Sequence, residues 1–186
     1  MSRFNVRLTP LAGLLYLERQ QLGDERGFLS RLFCQDILSG LGWPNRVAAV
    51  NHSFTAQKGT VRGMHYQLQP YAEAKLVTCL QGKVLDVAVD LRPSSSTFLH
   101  WHGEILSAEN HSSLLIPQGF AHGFQTLTDN VELIYCHSEH YHQPSERGLN
   151  PLDPTLGIKW PLVISQLSDR DYNEAWLDES FNGVNL

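Results

Sequence analysis

The sequence predicts an all-β domain folded as a sandwich or barrel, with a few short peripheral helices. Three observations predict it: short segments rich in β-branched and aromatic residues, their close and even spacing, and turn signals between them. Residues 13–18 begin the series with Leu14-Leu-Tyr-Leu17 after a glycine. Residues 47–53 start from Val47-Ala-Ala-Val50, and residues 61–67 carry Val61, Met64 and Tyr66. Residues 74–80 and 83–91 are two apolar runs split by Gln81-Gly82, a tight-hairpin signal. Residues 98–106 follow Arg92-Pro-Ser-Ser-Ser96, a loop because proline and small polar residues leave a strand. Residues 113–116, 123–127 and 131–138 complete the set, the last two separated by a turn at Asp129-Asn130. Helical pattern is confined to residues 35–40 and 168–175.

At 186 residues, with no linker, repeat or low-complexity tract, the chain reads as one domain over 1–186. A formal net charge of −5 argues against a nucleic-acid binder driven by bulk electrostatics. No apolar run approaches the length of a membrane span, and the N-terminus lacks a basic-then-apolar leader pattern. Cys34, Cys79 and Cys136 are odd in number and share no metal-like spacing. Reduced, buried thiols in a cytoplasmic protein are the expectation.

Two segments carry the chemistry: Gly59-Thr-Val-Arg-Gly-Met-His65-Tyr-Gln67 and Pro117-Gln-Gly-Phe-Ala-His122-Gly-Phe124. They read as the halves of a cupin metal site with part of the metal chemistry removed. Such a site takes two histidines one residue apart on a strand, a carboxylate shortly after, and a third histidine after a Pro-x-Gly turn. His65 and His122 stand at the first and third places, but Gln67 holds the second. Gln is a poor ligand for a divalent transition metal. Glu73 remains as a third donor, so a metal-dependent cupin stays an alternative. The expectation is no metal and no cofactor, with pocket histidines doing proton chemistry in a cupin or jelly-roll barrel.

Taken together, the residues resemble a known family. Asp24-Glu-Arg26-Gly-Phe28, Arg62-Gly-Met-His65-Tyr-Gln67, Lys75-Leu-Val and the run from Gly82 to Arg92 carry the first part. Pro117-x-Gly-Phe-Ala-His122-Gly-Phe124, Tyr135, Tyr141, Glu146 and Ile158-Lys-Trp-Pro161 carry the rest. From about Asp24 to Asp171 they resemble dTDP-4-dehydrorhamnose 3,5-epimerase in order and spacing. The resemblance implies a homodimeric β-barrel that needs no metal. It implies inversion of C3, C5 or both in a nucleotide-linked 4-keto-6-deoxy sugar, in deoxysugar and polysaccharide biosynthesis.

The hydrogen beside a ketone is weakly acidic because its loss gives an enolate. Inverting that carbon needs a base on one face and a proton donor on the other. Histidine suits the base because it titrates near neutral pH. His65 matches the family's base and Tyr135 its proton donor. Asp171, in Ser168-Asp-Arg-Asp171, matches the carboxylate that orients the base; Asp169 and Asp86 are the alternatives. Lys75 matches the cation beside the ketone, where it stabilises charge on the oxygen. Arg62 matches a diphosphate contact, which a planar guanidinium suits. Tyr141 matches the residue that stacks on the base. Phe28, Asn51, Gln67, His122, Glu146 and Arg170 match further ligand contacts, Arg170 where the family usually has Lys. Arg26 matches a nucleotide contact lent by a partner subunit.

Strict alternation along residues 61–67 puts Arg62 and His65 on opposite faces, so a bulge or twist at Gly63 is required if both line one pocket. Asp86 is expected to orient His122 or His65, or to hold a barrel-end hydrogen bond. The cluster His137/His140/His142 reads as solvated surface. Three positions depart from the family pattern: Arg31 replaces a Glu, Ala49 a Gln, and Cys136 a Lys after the tyrosine. These touch the groups that read nucleotide and sugar, so a 3-epimerase, a 5-epimerase or use of another nucleotide such as CDP remain alternatives. A non-catalytic sugar-binding cupin is the reading from another class; a binder has no need of an acid–base pair.

Overall fold

The computed structural model describes residues 3–44 and 46–186. In chain order the strands are β1 (Phe4–Leu8), β2 (Leu15–Arg19), β3 (Gln21–Asp24), β4 (Gly27–Ser30), β5 (Ala49–Thr55), β6 (Val61–Gln67) and β7 (Lys75–Gln81). They continue with β8 (Lys83–Asp90), β9 (Trp101–Ser107), β10 (Ser112–Ile116), β11 (Phe120–Thr126), β12 (Val131–His137) and β13 (Glu146–Gly148). Helix α1 spans Gln35–Ser39 and α2 spans Asp169–Tyr172. One antiparallel sheet runs β1-β2-β10-β7-β12-β5, and a second runs β13-β6-β11-β8-β9. Their inner faces share one core, with Val77, Leu114 and Leu133 from the first meeting Val84, Ala88 and Phe124 from the second.

Each sheet is covered on its outer side as well. Leu17, Leu76 and Cys136 pack under α1 and Trp43. Met64, Val87, Val89 and Ala121 pack under the C-terminal segment through Leu149, Leu156 and Val184. Strands buried on both faces lose clean alternation and read as continuous apolar runs. That is the reason Val87, Ala88 and Val89 follow one another in β8 with no polar residue between them.

All nine expected strands are present, with ends shifted by a few residues. The largest shifts are in β9, which begins at Trp101 rather than Phe98, and in β11, which begins at Phe120 rather than Gly123. Gly119 makes the turn with φ +80°, and Phe120 already pairs with Asp90. Three strand features lie outside the expectation. β1 is an edge strand with only Phe4 buried, and β13 is three residues long. β3 and β4 form a separate ribbon in which every residue but Ser30 is exposed. The second helical stretch is a single turn, Asp169–Tyr172, capped by the Ser168 hydroxyl accepting from the Asp171 N–H. All three cysteines are free; Cys79 and Cys136 are buried as expected but Cys34 only partly, and burial pushes the Cys79 thiol up to about 11. Among the described residues no helix is long and apolar enough to cross a membrane.

Candidate active site

The two sheets separate at one end of the core, and the inner faces turn polar there. On β12 the inward positions run Val131, Leu133, Tyr135, His137; on β7 they run Cys79, Val77, Lys75. The cleft so formed has a volume of about 300 Å³. Its walls come from opposite sheets: His65, Arg62 and His122 from β6 and β11, and Lys75, Tyr135 and Asn51 from β7, β12 and β5.

Arg62 and His65 share the cleft because β6 breaks step at Gly63. His122 pairs with His65, but Phe124 pairs with Arg62, so the register shifts between them. Gly63 has φ +119°, and its peptide bond to Met64 is cis. A Cβ on Gly63 would lie 2.5 Å from the Cα of Gly123 and 2.7 Å from the His122 carbonyl oxygen. Only glycine lets the two strands approach so closely with that φ. The irregularity required by the sequence pattern therefore exists, at the expected residue.

His65 bonds Asp171 through Nε2 at 2.8 Å. The other oxygen of Asp171 accepts from the Gly63 N–H at 3.1 Å. Burial alone raises a carboxyl's pKa, but the His65 ring, the Gly63 N–H and the Ser168 hydroxyl together hold Asp171 below its usual range. An ionised carboxylate only accepts, so Nε2 carries the proton and Nδ1 of the neutral ring keeps the lone pair. The His65 side chain is one-third exposed. Of the three carboxylates considered, Asp171 orients it. Asp86 instead pairs with His122, its Oδ1 lying 2.8 Å from Nε2 deep in the core. Asp90, on the same strand, closes the far end of β8 through Arg92, Ser95 and Thr97.

Tyr135 faces His65 from the other sheet. Its phenol accepts from the Ser53 hydroxyl at 3.3 Å, and its ring meets His122 edge-on. Burial pushes the phenol well above its ordinary range, so it is fully protonated at neutral pH. Lys75 Nζ lies 3.2 Å from Glu73 Oε1 and donates to the His65 carbonyl oxygen at 3.4 Å.

The rim is more open. Arg62 donates to the Thr55 hydroxyl at 3.1 Å and to the Phe54 carbonyl at 3.5 Å. Tyr141 is largely exposed, and its hydroxyl donates to Glu146, which also pairs with Arg170. Those two partners outweigh burial and hold Glu146 below the usual carboxylate range. Arg170 therefore touches the cleft through Glu146 rather than lining it. Gln67 lines the cleft, but its amide is spent on backbone. It donates to the Tyr71 and His140 carbonyls and accepts from the His142 N–H, fastening the loop after β12.

Arg26 and Phe28 are not brought to the cleft within this chain. Arg26 stands at the tip of the β3–β4 ribbon, bonded to Asp24, and Phe28 rests on His111. His137 corrects the expectation of a solvated histidine cluster. β12 extends through it, so alternation puts it on the Tyr135 face, where it bonds Glu73 and Asn51. His140 is exposed as expected, and His142 stacks on Tyr71. The two-residue spacing from Tyr135 was the available signal for His137. Among the described residues no three His, Cys, Asp or Glu side chains are grouped to hold a metal ion.

Residues 8–179 match the dTDP-4-dehydrorhamnose 3,5-epimerase family. An enzyme of that name from Shigella flexneri is 45% identical over 170 residues, spanning 91% of this chain and 93% of the relative. A crystal structure of a dTDP-4-dehydrorhamnose 3,5-epimerase from Bacillus anthracis str. Ames, with TDP and PPi bound, superposes with a TM-score of 0.89 at 40% identity. It covers 94% of this chain and 99% of its own. A dTDP-6-deoxy-D-glucose-3,5-epimerase from Legionella pneumophila Philadelphia 1, in complex with dTDP-4-keto-L-rhamnose, superposes at 0.85 with 43% identity over 90% and 89%. The two-sheet architecture is thus the cupin-like barrel expected, and the likeness extends over nearly all of both chains. The chain belongs to the dTDP-4-dehydrorhamnose 3,5-epimerase family.

Proposed function

We propose that this protein inverts C3 and C5 of dTDP-4-keto-6-deoxyglucose, giving dTDP-4-keto-rhamnose. The observation that carries the reading is a carboxylate-oriented histidine on one sheet facing a half-buried, protonated tyrosine on the other. Epimerisation needs this two-sided arrangement, because the proton leaves one face of the carbon and returns to the opposite face. His65 Nδ1 takes the proton beside the ketone, and Asp171 stabilises the imidazolium that forms. The electron pair moves onto the C4 oxygen as an enolate, which Lys75 stabilises. The Tyr135 hydroxyl then delivers a proton to the other face. A sugar-binding cupin would not need the His65–Asp171 pair or the desolvated phenol.

Arg62 serves the diphosphate and Tyr141 the base. The same reading includes a homodimer in which Arg26 and Phe28 reach the partner's nucleotide. It is supported by Leu22, Phe28 and Leu29 standing exposed on a ribbon that pairs with no other strand among the described residues, and by Val50 and Phe54 exposed on the outer face of edge strand β5.

Incubating the protein with dTDP-4-keto-6-deoxyglucose in deuterated water tests the reaction. Label at both C3 and C5 is expected. Label at one carbon makes the protein a monoepimerase, and no label at either sinks the reading.

A further inference from the structure

The cleft holds a third histidine–carboxylate pair that the proton chemistry above does not use. Glu73 and His137 are both largely buried, with side chains 10% and 15% exposed. His137 Nδ1 lies 2.7 Å from Glu73 Oε2. The Asn51 amide nitrogen lies 3.3 Å from His137 Nε2. An amide NH2 only donates, so Nε2 accepts and the ring proton sits on Nδ1, pointing at Glu73. The other oxygen of Glu73 faces Lys75 Nζ at 3.2 Å. The result is a chain Asn51–His137–Glu73–Lys75 along the floor formed by β5, β12 and β7.

Its members come from separate elements and are brought together by register. Lys75 pairs with His137 across β7 and β12, and Asn51 pairs with Tyr135 across β5 and β12. Glu73 sits two residues before Lys75, just ahead of β7. A buried carboxylate without partners would be driven toward its neutral form. Burial here pushes Glu73 up, but Lys75 and His137 outweigh it and hold the group below its usual range. A buried ammonium meets the same penalty, and the carboxylate offsets it.

We propose that Glu73 and His137 are positioning residues for Lys75. His137 clamps one carboxylate oxygen, so the other stays fixed on Nζ. With Glu73 on one side and the His65 carbonyl on another, the ammonium has one remaining N–H direction for a ligand oxygen. A flexible lysine is thereby given the fixed donor geometry that stabilising an enolate requires. The inference rests on the epimerase reading and assigns two residues that the family resemblance did not suggest.

The test compares wild type with Glu73→Gln, His137→Leu, His137→Asn and the double variant Glu73→Gln/His137→Leu. Deuterium incorporation supplies kcat and KM, and dTDP affinity reports on an intact nucleotide site. Glu73→Gln is expected to lower kcat by about tenfold or more with KM and dTDP affinity nearly unchanged, since the lost interaction acts only on developing charge. His137→Leu is expected to show a smaller loss of the same kind, partly restored in His137→Asn, whose amide can donate to Glu73. The double variant is expected to match Glu73→Gln alone, because residues acting through one group are not additive. Wild type with normal turnover and a Glu73→Gln kcat within about twofold of it would overturn the inference while leaving the epimerase reading standing. So would a loss confined to KM, or additive losses in the double variant. If Glu73→Gln fails to fold, the His137 pair of variants decides alone. Wild type without exchange would take both proposals down together.

Discussion

His65 and Lys75 each meet a carboxylate inside the protein, whereas Arg26 and Tyr141, proposed for the same ligand, stand largely in solvent. At the reactive end each side chain has a side-chain partner, supplied by α2, by β5 and by the segment just before β7. Asp171 holds His65, Ser53 touches Tyr135, and Glu73 holds Lys75. At the nucleotide end the contacts are local and loose. Arg26 bonds Asp24 two residues away, an exposed pair that solvent screens. Arg26 can leave it for a ligand at little cost. The difference teaches where rigidity is needed. Charge development in a transition state is stabilised only by donors already in place, while binding a flexible diphosphate tolerates side chains that settle on contact.

The sharpest way to break this contrast is His65→Ala. Loss of a general base is expected to reduce deuterium exchange by about a thousandfold, with dTDP affinity unchanged. A variant keeping more than about a tenth of the wild-type rate would show that the fixed end is not where the chemistry occurs.

Tyr141→Ala probes the loose end. Removing one stacking ring is expected to weaken dTDP binding by about 1–3 kcal/mol, with exchange at saturating substrate nearly intact. A collapse of kcat instead would move Tyr141 into the preorganised set.

Asp171→Asn separates stability from chemistry. The folded Asp171 carboxyl is held low, so its contribution is complete above the unfolded carboxylate range of about 4 and is lost as pH falls through the folded value. The variant is therefore expected to be less stable at pH 7 by on the order of 1–2 kcal/mol, and to converge with wild type in acid. Equal destabilisation at every pH would mean that the charge of Asp171 is not what matters.

The smallest effect is expected from Arg31→Glu. Arg31 is exposed and touches the Cys34 sulfur at 3.8 Å, away from the cleft within this chain. Discrimination between dTDP- and CDP-linked ligands should change by less than ~1.4 kcal/mol, tenfold in affinity. A larger change, measured by titrating both nucleotides, would make Arg31 a reader of the base and place the ribbon firmly in the site.

Much of this molecule was legible along the chain. The nine central strands were visible because β-branched runs and turn dipeptides are local properties. So was the need for an irregularity at Gly63, since parity along a strand is arithmetic. Ser168-x-x-Asp171 was readable as a helix start, and the cap holds the residue that orients His65. Other features depended on which strands became neighbours. Asp171 was the first candidate to orient His65, with Asp86 and Asp169 as alternatives, until pairing of β11 with β8 drew Asp86 to His122. His137 looked like part of a solvated histidine tract because its loop neighbours are polar; pairing of β12 with β7 and β5 turned it inward onto Glu73 and Asn51. The β3–β4 ribbon gave no strand signal because no core buries either face. Hydrophobic pattern records which side of a strand meets the core. It carries no record of which polar residue stands across the cleft, because that is set by register between segments far apart in the chain.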